Sequence, residues 1–133
     1  MPLLVDTSVW SLAFRRNGQV DRPEVKRLAS ALTGGESILV TGLILQELLQ
    51  GFRGAKAHQS IIERFHALPM LSAEREDHIQ AAGLRNDCRR RGVQIGTVDA
   101  LLAQLCLRHE LTLLTTDDDF TRIAAASNLK IWT

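Results

Sequence analysis

The sequence contains 133 residues, of which 45% are hydrophobic and 23% are charged, values typical of an ordinary soluble protein that forms one domain over residues 1–133. Its net charge of +1 excludes a general polycation, although a nucleic-acid binder with locally clustered charges stays possible. No apolar run approaches a membrane span, no export signal precedes the first strand, and Cys88 and Cys106 form no disulfide framework, so we expect a cytoplasmic protein.

The first predicted strand, residues 3–5, is a continuous apolar run that leads directly into Asp6. Such a run is typical of a strand that is buried on both faces. A helix can begin at residues 9–14, so Asp6 lies where a strand ends and a helix starts. Two interpretations of Asp6 stay open at this point: its side chain caps the helix, or it lies at the carboxyl end of a parallel strand, where open α/β sheets bind ligands.

The remaining elements continue this alternation of strands and helices. Further strands are predicted over residues 37–41, 69–71, 111–115 and 129–132. Further helices are predicted over residues 24–32, 43–52, 56–66, 74–91, 98–109 and 120–126, with Pro23 in the first turn of the earliest of these. Short apolar strands that alternate with helices predict a mainly parallel central sheet of four to five strands, covered on both faces, which is a three-layer α/β/α domain.

Glu47 lies within the predicted helix over residues 43–52. At about 100° per residue, the apolar face of this helix is centred on Leu45, Leu48 and Phe52, and Glu47 lies at its margin. A glutamate in that position is commonly a solvated residue, so Glu47 gains importance only from the other acids.

Asp99 lies in the first turn of the predicted helix over residues 98–109, for which Thr97 is the expected cap. It projects to the side of Ala103 and Cys106, which is the inward side, whereas Arg108 is expected to face outward. A helix N-terminus stabilises a negative charge by about 0.3–1 kcal/mol, which is small beside the several kcal/mol that burying an unpaired charge costs. We therefore expect Asp99 to lie in a cleft or to bind a cation.

Three consecutive acids, Asp117, Asp118 and Asp119, follow the predicted strand over residues 111–115. One of them is expected to cap the next helix and to do nothing else. Three adjacent acids are more than one cap requires, so Asp117 repeats the pattern of a carboxylate at a strand end.

The predicted fold brings Asp6, Glu47, Asp99 and Asp117 to one edge of the sheet. Two carboxylates about 4 Å apart repel each other by about 4 kcal/mol at an effective dielectric constant of about 20, so such a cluster must take up protons or bind cations. Oxygen ligands without His or Cys indicate a hard ion, Mg²⁺ or Mn²⁺. Such an ion activates water and neutralises charge on a phosphate, which is the chemistry of phosphodiester hydrolysis.

Four motifs together resemble those of the PIN-domain ribonucleases, and most closely the VapC toxins of bacterial and archaeal toxin–antitoxin pairs. They are Asp6-Thr7-Ser8, the glutamate within residues 43–52, Gly-Thr-Val-Asp-Ala-Leu-Leu-Ala at residues 96–103, and Thr-Thr-Asp-Asp-Asp-Phe at residues 115–120. The resemblance covers essentially the whole chain in order. It implies a PIN-like domain that cleaves RNA endonucleolytically with Mg²⁺ or Mn²⁺, is neutralised by a cognate VapB-type antitoxin, and forms a homodimer.

The resemblance also implies roles for individual residues. Asp6, Glu47, Asp99 and Asp117 match the catalytic, metal-binding acids of the family, and Asp119 matches its secondary acid. Thr7, together with Thr115 or Thr116, matches its supporting hydroxyls. The RNA target and the number of metal ions stay open.

Arginines and lysines near these acids could contact RNA or an acidic segment of an antitoxin. They are Arg15, Arg16, Arg53, Lys56, Arg85, Arg89, Arg90 and Arg91. A nuclease with a negatively charged site needs such cations to hold the phosphate backbone. Four of them end the helix over residues 74–91, where arginine is favourable in any case, so both interpretations stay open. Aromatic residues are few and no base-stacking platform is evident; we expect Phe52 and Phe120 in the core.

Two other enzyme classes use an aspartate at a strand end. A phosphatase of the haloacid dehalogenase type needs a second Asp two residues after the first, where this sequence has Ser8. A receiver domain needs acids before its phosphorylated Asp and a late lysine at a strand end, and neither is present. A non-catalytic domain of the same fold that binds RNA or a protein stays the main alternative, although none of the four acids is lost.

Overall fold

A computed structural model describes residues 2–15 and 21–133, and five strands alternate with seven helices over these two ranges. The strands are β1 (Leu3–Val5), β2 (Ile38–Thr41), β3 (Met70–Leu71), β4 (Thr112–Leu114) and β5 (Lys130–Ile131). The helices are α1 (Thr7–Phe14), α2 (Pro23–Thr33), α3 (Gly42–Gly51), α4 (Ala55–His66), α5 (Arg75–Arg90), α6 (Thr97–His109) and α7 (Asp118–Ala125). Every predicted element is confirmed within a few residues. Within the described ranges, no helix has the length and apolar character needed to cross a membrane.

The sheet is parallel throughout and has the order β3-β2-β1-β4-β5. β1 lies at its centre, and Leu3 is opposite Ile38 on one side and Thr112 on the other. Contacts group the helices into α1 to α4 and α5 to α7, and the usual right-handed connection of parallel strands places the two groups on opposite faces of the sheet. The predicted three-layer α/β/α fold with a central parallel sheet is therefore confirmed. The prediction of a single domain over residues 1–133 stays a prediction.

The direction in which strands are added reverses between β1 and β4. From β1 the chain proceeds outward through β2 and β3, and then crosses back to place β4 on the other side of β1. A crevice at the carboxyl ends of the strands accompanies such a reversal, and it is the usual ligand site of open α/β sheets. Asp6 directly follows β1, and Thr115 to Asp117 directly follow β4, so both segments lie at this crevice.

Two local predictions are wrong. Gly96 occupies the N-cap position of α6, and Thr97 is the first helical residue rather than the cap. The apolar face of α3 was expected to be centred on Leu45, Leu48 and Phe52. Ile44 and Leu48 are instead its buried residues, whereas Leu45 and Phe52 are half-buried.

Arg108 is exposed, as its place on the outward side of α6 predicts, but its guanidinium also has a partner on another helix. α5 packs along α6, and the Arg108 Nε lies 2.8 Å from Oδ1 of Asp77, whose side chain is only 1% exposed. The turn-by-turn pattern of α6 gave no indication of this partner, because the acid belongs to another helix.

Candidate metal centre

Asp6 directs its carboxylate toward the end of the neighbouring strand β4. The residue is 6% exposed and occupies the N-cap position of α1, yet its side chain makes no capping hydrogen bond. Its Oδ2 instead accepts hydrogen bonds from the hydroxyls of Ser8, at 2.8 Å, and Thr115, at 2.9 Å. The interpretation of Asp6 as a side-chain cap is therefore wrong, and its carboxylate is held at the crevice between β1 and β4.

Two hydroxyl groups join the segment after β1 to the segment after β4. The Thr115 Oγ1 accepts a hydrogen bond from the Asp117 backbone N–H at 3.0 Å, and the Ser8 Oγ accepts one from the Thr116 backbone N–H at 3.1 Å. Of the two threonines that the sequence left open, Thr115 therefore supplies the hydroxyl and Thr116 supplies a backbone N–H. Ser8 was missed among the supporting residues, although its place in Asp6-Thr7-Ser8 was the available signal.

Asp99, Asp117 and Asp119 converge at this crevice. One carboxylate oxygen from each of the three lies within 4.8 Å of the others. Asp117 also caps α7, because its Oδ1 accepts from the Asp119 backbone N–H at 2.9 Å, so the capping acid is itself a member of the cluster. Asp119 forms an ion pair with Arg122 one turn later, whereas Asp118 is exposed. One of the three acids was expected to cap the helix and to do nothing else. The capping acid is Asp117, which also belongs to the cluster, so this prediction is wrong.

Glu47 reaches the centre from α3, on the other side of the crevice. Its side chain is exposed, and its Oε1 accepts a hydrogen bond of 2.8 Å from the Thr7 hydroxyl. Because Thr7 follows Asp6 directly, this bond ties α3 to the segment that holds Asp6. Thr7, which was predicted to be a supporting hydroxyl, thus contacts one of the four predicted acids.

The Asp99 carboxyl responds to the whole cluster. Burial, together with the negative charges of Asp117, Asp6 and Glu47, raises its pKa from 3.8 to about 6. Burial, with a contribution from the Asp6 charge, also raises the pKa of the Cys106 thiol to about 12, which keeps it protonated and unreactive. The charges of the three other acids predicted from the sequence therefore act on Asp99.

The geometry fits a hard divalent cation. All the side-chain donors are oxygens, which is the ligand type of Mg²⁺, Mn²⁺ and Ca²⁺ rather than of zinc. Two oxygens that bind one Mg²⁺ at about 2.1 Å lie about 3 Å apart when adjacent and about 4 Å apart when opposite. A separation of up to 4.8 Å needs only a small inward rotation of these side chains to match. Asp99, Asp117 and Asp119 could hold such an ion, with Asp6 beside them.

The basic residues take several different positions around this centre. Arg85 donates from Nε to the Ile95 carbonyl at 2.9 Å, just before α6 begins. Arg89 donates to Asn86, Arg90 pairs with Asp87, and Arg91 donates to the Ala126 carbonyl.

Arg15, Arg53 and Lys56 are exposed, and Arg16 lies outside the described residues. The described arginines of α5 are thus partly engaged in structural contacts, and Arg53 and Lys56 line a groove of about 700 Å³ with Phe14 and Phe52.

Known proteins share both sequence features and the fold with this chain. The model of the PIN domain family matches residues 3–126, which is most of the chain. The chain therefore belongs to the PIN-domain family.

Within that family, its relatives are VapC ribonucleases. The chain is 32% identical over 130 residues to Ribonuclease VapC11 of Mycobacterium tuberculosis, and the match covers 96% of each sequence. Solved structures also share the fold. VapBC2 from Rickettsia felis, bound to a DNA fragment from its promoter, has a TM-score of 0.77 at 21% identity with full coverage of both chains. VapBC-1 from nontypeable Haemophilus influenzae has a TM-score of 0.76 at 17% identity and covers 99% of this chain and 97% of that chain.

Proposed function

We propose that this protein is an endoribonuclease toxin of a type II toxin–antitoxin pair, which hydrolyses RNA with Mg²⁺ or Mn²⁺. The observation that carries the proposal is the convergence of Asp99, Asp117 and Asp119 on one point beside Asp6 at the crevice between β1 and β4. The 32% identity to VapC11, whose name describes it as a ribonuclease, supports RNA as the substrate.

In this proposal, Asp6, Glu47, Asp99 and Asp117 are the catalytic acids, and Asp119 supports them. A bound divalent ion would supply a Lewis acid that lowers the pKa of water and neutralises charge on the scissile phosphate. The hydroxyls of Ser8 and Thr115 fix the Asp6 carboxylate, and Thr115 also orients the Asp117 backbone. Thr7 donates to Oε1 of Glu47 and so orients this exposed carboxylate at the rim of the crevice.

Cleavage of RNA by the purified protein tests this proposal. We expect cleavage of labelled RNA in Mg²⁺ or Mn²⁺, none in EDTA, and a loss of at least about 100-fold for Asp99→Asn, since even indirect partners of metal ligands are worth about 10–100-fold. Asp118→Asn is the matched control, because Asp118 is an exposed acid in the same region. Cleavage that persists in EDTA or in Asp99→Asn would contradict the metal mechanism. RNA binding without cleavage in any metal would favour the non-catalytic alternative.

We further propose a VapB-type antitoxin as partner, and the cytoplasm as the compartment in which the protein meets RNA and that partner. The groove between α1 and α4 combines the aromatic rings of Phe14 and Phe52 with the charges of Arg53 and Lys56, so it suits a segment with apolar and acidic side chains. Co-expression with the product of the neighbouring reading frame should yield a stable complex that Arg53→Glu weakens. A complex that forms equally well with Arg53→Glu would remove this groove from the interface.

A homodimer is the remaining part of the proposal. Met70 on β3 and Ile79 on α5 are 50% and 57% exposed, and a second copy of the chain could cover them. Sedimentation should therefore show a dimer at micromolar concentration. A monomer under those conditions would contradict this part and leave the nuclease proposal intact.

A further inference from the structure

We propose that a groove beside Asp117 binds one nucleobase of the RNA by stacking it on the indole ring of Trp132. The groove measures about 350 Å³ and lies between the start of α2, the segment from Thr115 to Asp118, and the residues that follow β5. This size is within the range of small-ligand sites. Because Asp117 belongs both to the groove and to the acidic cluster, a base held here belongs to a nucleotide next to the phosphate at the metal centre. The proposal rests on the proposed nuclease function.

Trp132 is placed at the same edge of the sheet as the acids. It directly follows β5, and its backbone N–H donates to the Leu113 carbonyl at 2.9 Å, so β4 fixes its position. The side chain is only partly buried, and within residues 2–15 and 21–133 it makes no contact with another aromatic ring. The other tryptophan differs, because Trp10 is 1% exposed and packs against Phe14 and Phe65. Trp132 packs in part against the core, and the rest of its side chain stays accessible at the groove.

The charges around the groove favour a base over a phosphate. Arg22 is the one cation among the groove's residues, and it is already paired with Glu24 at 3.1 Å. Asp117 and Asp118 add two further negative charges, so the groove as a whole would repel a phosphate. A nucleobase carries no net charge, and its amino and imino groups can donate hydrogen bonds to these carboxylates and to the hydroxyls of Thr116 and Thr121.

The backbone phosphate and the base would therefore be held by different chemistry. The acidic cluster can hold the phosphate only through a cation, whereas the indole ring offers a neutral π-surface to any base. This platform could not be predicted from sequence patterns, because only the pairing of β5 with β4 brings Trp132 near the acid Asp117.

Tryptophan fluorescence tests the stacking directly. The probes are the four nucleoside 5′-monophosphates, which contain no phosphodiester bond to hydrolyse, and inorganic phosphate, all in Mg²⁺. We expect the nucleotides to quench the emission and inorganic phosphate to leave it unchanged. The quenching should be absent in Trp132→Phe, which retains only the buried Trp10. Equal effects of nucleotides and phosphate, or quenching that persists in Trp132→Phe, would overturn the proposal.

Steady-state cleavage provides the second measurement. Trp132→Leu should raise the KM for single-stranded RNA about 10-fold, a factor that corresponds to about 1.4 kcal/mol and lies within the range of base–aromatic stacking. Trp132→Phe should keep the KM near the wild-type value, because its ring can still stack, and kcat should change little in either variant. An unchanged KM in Trp132→Leu would refute the stacking site while leaving the nuclease function intact. If the wild-type protein cleaves no RNA, the nuclease proposal fails, and the fluorescence result alone decides whether Trp132 stacks a base. The nuclease proposal and the stacking proposal can therefore fail independently.

Discussion

The hydroxyl of Thr115 donates a hydrogen bond of 2.9 Å to Oδ2 of Asp6, across a separation of 109 positions in the sequence. The same hydroxyl accepts the backbone N–H of Asp117 at 3.0 Å. One side chain thus connects an acid at the end of β1 to an acid at the end of β4, and Ser8 makes a parallel connection beside it. The arrangement of the candidate metal centre depends on these two hydroxyls as well as on the carboxylates.

Replacement of Thr115 by valine should therefore destabilise the protein and weaken metal binding. Valine keeps the shape of threonine but removes a donor to the buried Asp6 carboxylate and the acceptor for the Asp117 N–H, and an unsatisfied buried group costs about 1–3 kcal/mol. Thr116→Val is the matched control and should change the free energy of unfolding by less than about 0.5 kcal/mol, because the Thr116 contact to Ser8 uses its backbone. Urea unfolding of both variants, with and without Mg²⁺, measures the difference; equal losses would contradict the assigned role of Thr115.

Removal of one clustered charge should stabilise the metal-free protein. Asp99 lies among Asp117, Asp6 and Glu47, whose charges disfavour its ionised form. Asp99→Asn should therefore raise the melting temperature in EDTA and reduce the additional stabilisation that Mg²⁺ gives to the wild-type protein. Thermal unfolding of wild type, Asp99→Asn and the control Asp118→Asn in EDTA and in Mg²⁺ tests this. A variant that responds to Mg²⁺ as strongly as the wild type would rule out Asp99 as a metal ligand.

The stability of the metal-free protein should also depend on pH through Asp99. Its pKa is raised from 3.8 to about 6 in the folded state, so the folded protein binds the proton more tightly than the unfolded chain does. This contribution to stability is fully present below about pH 4 and is lost as the pH rises through about 6. Mg²⁺ affinity should increase over the same interval, because protons then no longer compete. Unfolding curves between pH 4 and 8 should show the change in wild type and a smaller one in Asp99→Asn; identical pH profiles would contradict this origin.

A second acid, Asp77, should contribute with the opposite dependence on pH. Burial alone would raise its pKa, but the Glu74 backbone N–H and the Arg108 guanidinium lower it below the usual value. Its stabilisation is therefore present at neutral pH and is lost as the pH falls through its folded-state pKa. Asp77→Ala should cost about 2 kcal/mol, less than the roughly 3–5 kcal/mol of a fully buried pair, because Arg108 is one-third exposed and can regain water.

The control for Asp77→Ala is Glu76→Ala, which removes an exposed acid from the same turn of α5. Its effect on the free energy of unfolding should stay below about 0.5 kcal/mol. Urea unfolding at neutral pH compares the two variants. A loss for Glu76→Ala that matches the loss for Asp77→Ala would assign the effect to the helix N-terminus rather than to the pair with Arg108.

The fold could be predicted because its signals are local. Continuous apolar runs such as residues 3–5 are typical of strands buried on both faces, and their alternation with helices then predicts a parallel sheet. The convergence of Asp6 and Asp117 followed from the same reasoning, because carboxyl ends of neighbouring parallel strands share one edge. What the sequence left open was the strand order, which determines that β4 rather than another strand lies beside β1.

Contacts between distant segments could not be predicted in this way. Whether Thr115 or Thr116 directs its hydroxyl to Asp6 depends on the backbone conformation directly after β4. The pairing of Arg108 with Asp77 depends on how α5 packs against α6. A helical pattern reports only the distribution of residues on its own helix, so it placed Arg108 correctly on the exposed side but could not indicate its partner Asp77. The sequence places several arginines near the end of α5. The structure adds that Arg85, and Arg91 directly after the helix, donate hydrogen bonds to backbone carbonyls.

The central position of β1 has a consequence for the order of events during synthesis. β1 directly precedes Asp6, and it has no partner on one side until β4 has also been synthesised. Domains fold as units once their segments have been translated. A polypeptide in which β4 has not yet been synthesised therefore has an incomplete acidic cluster, because Thr115, Asp117 and Asp119 all follow that strand.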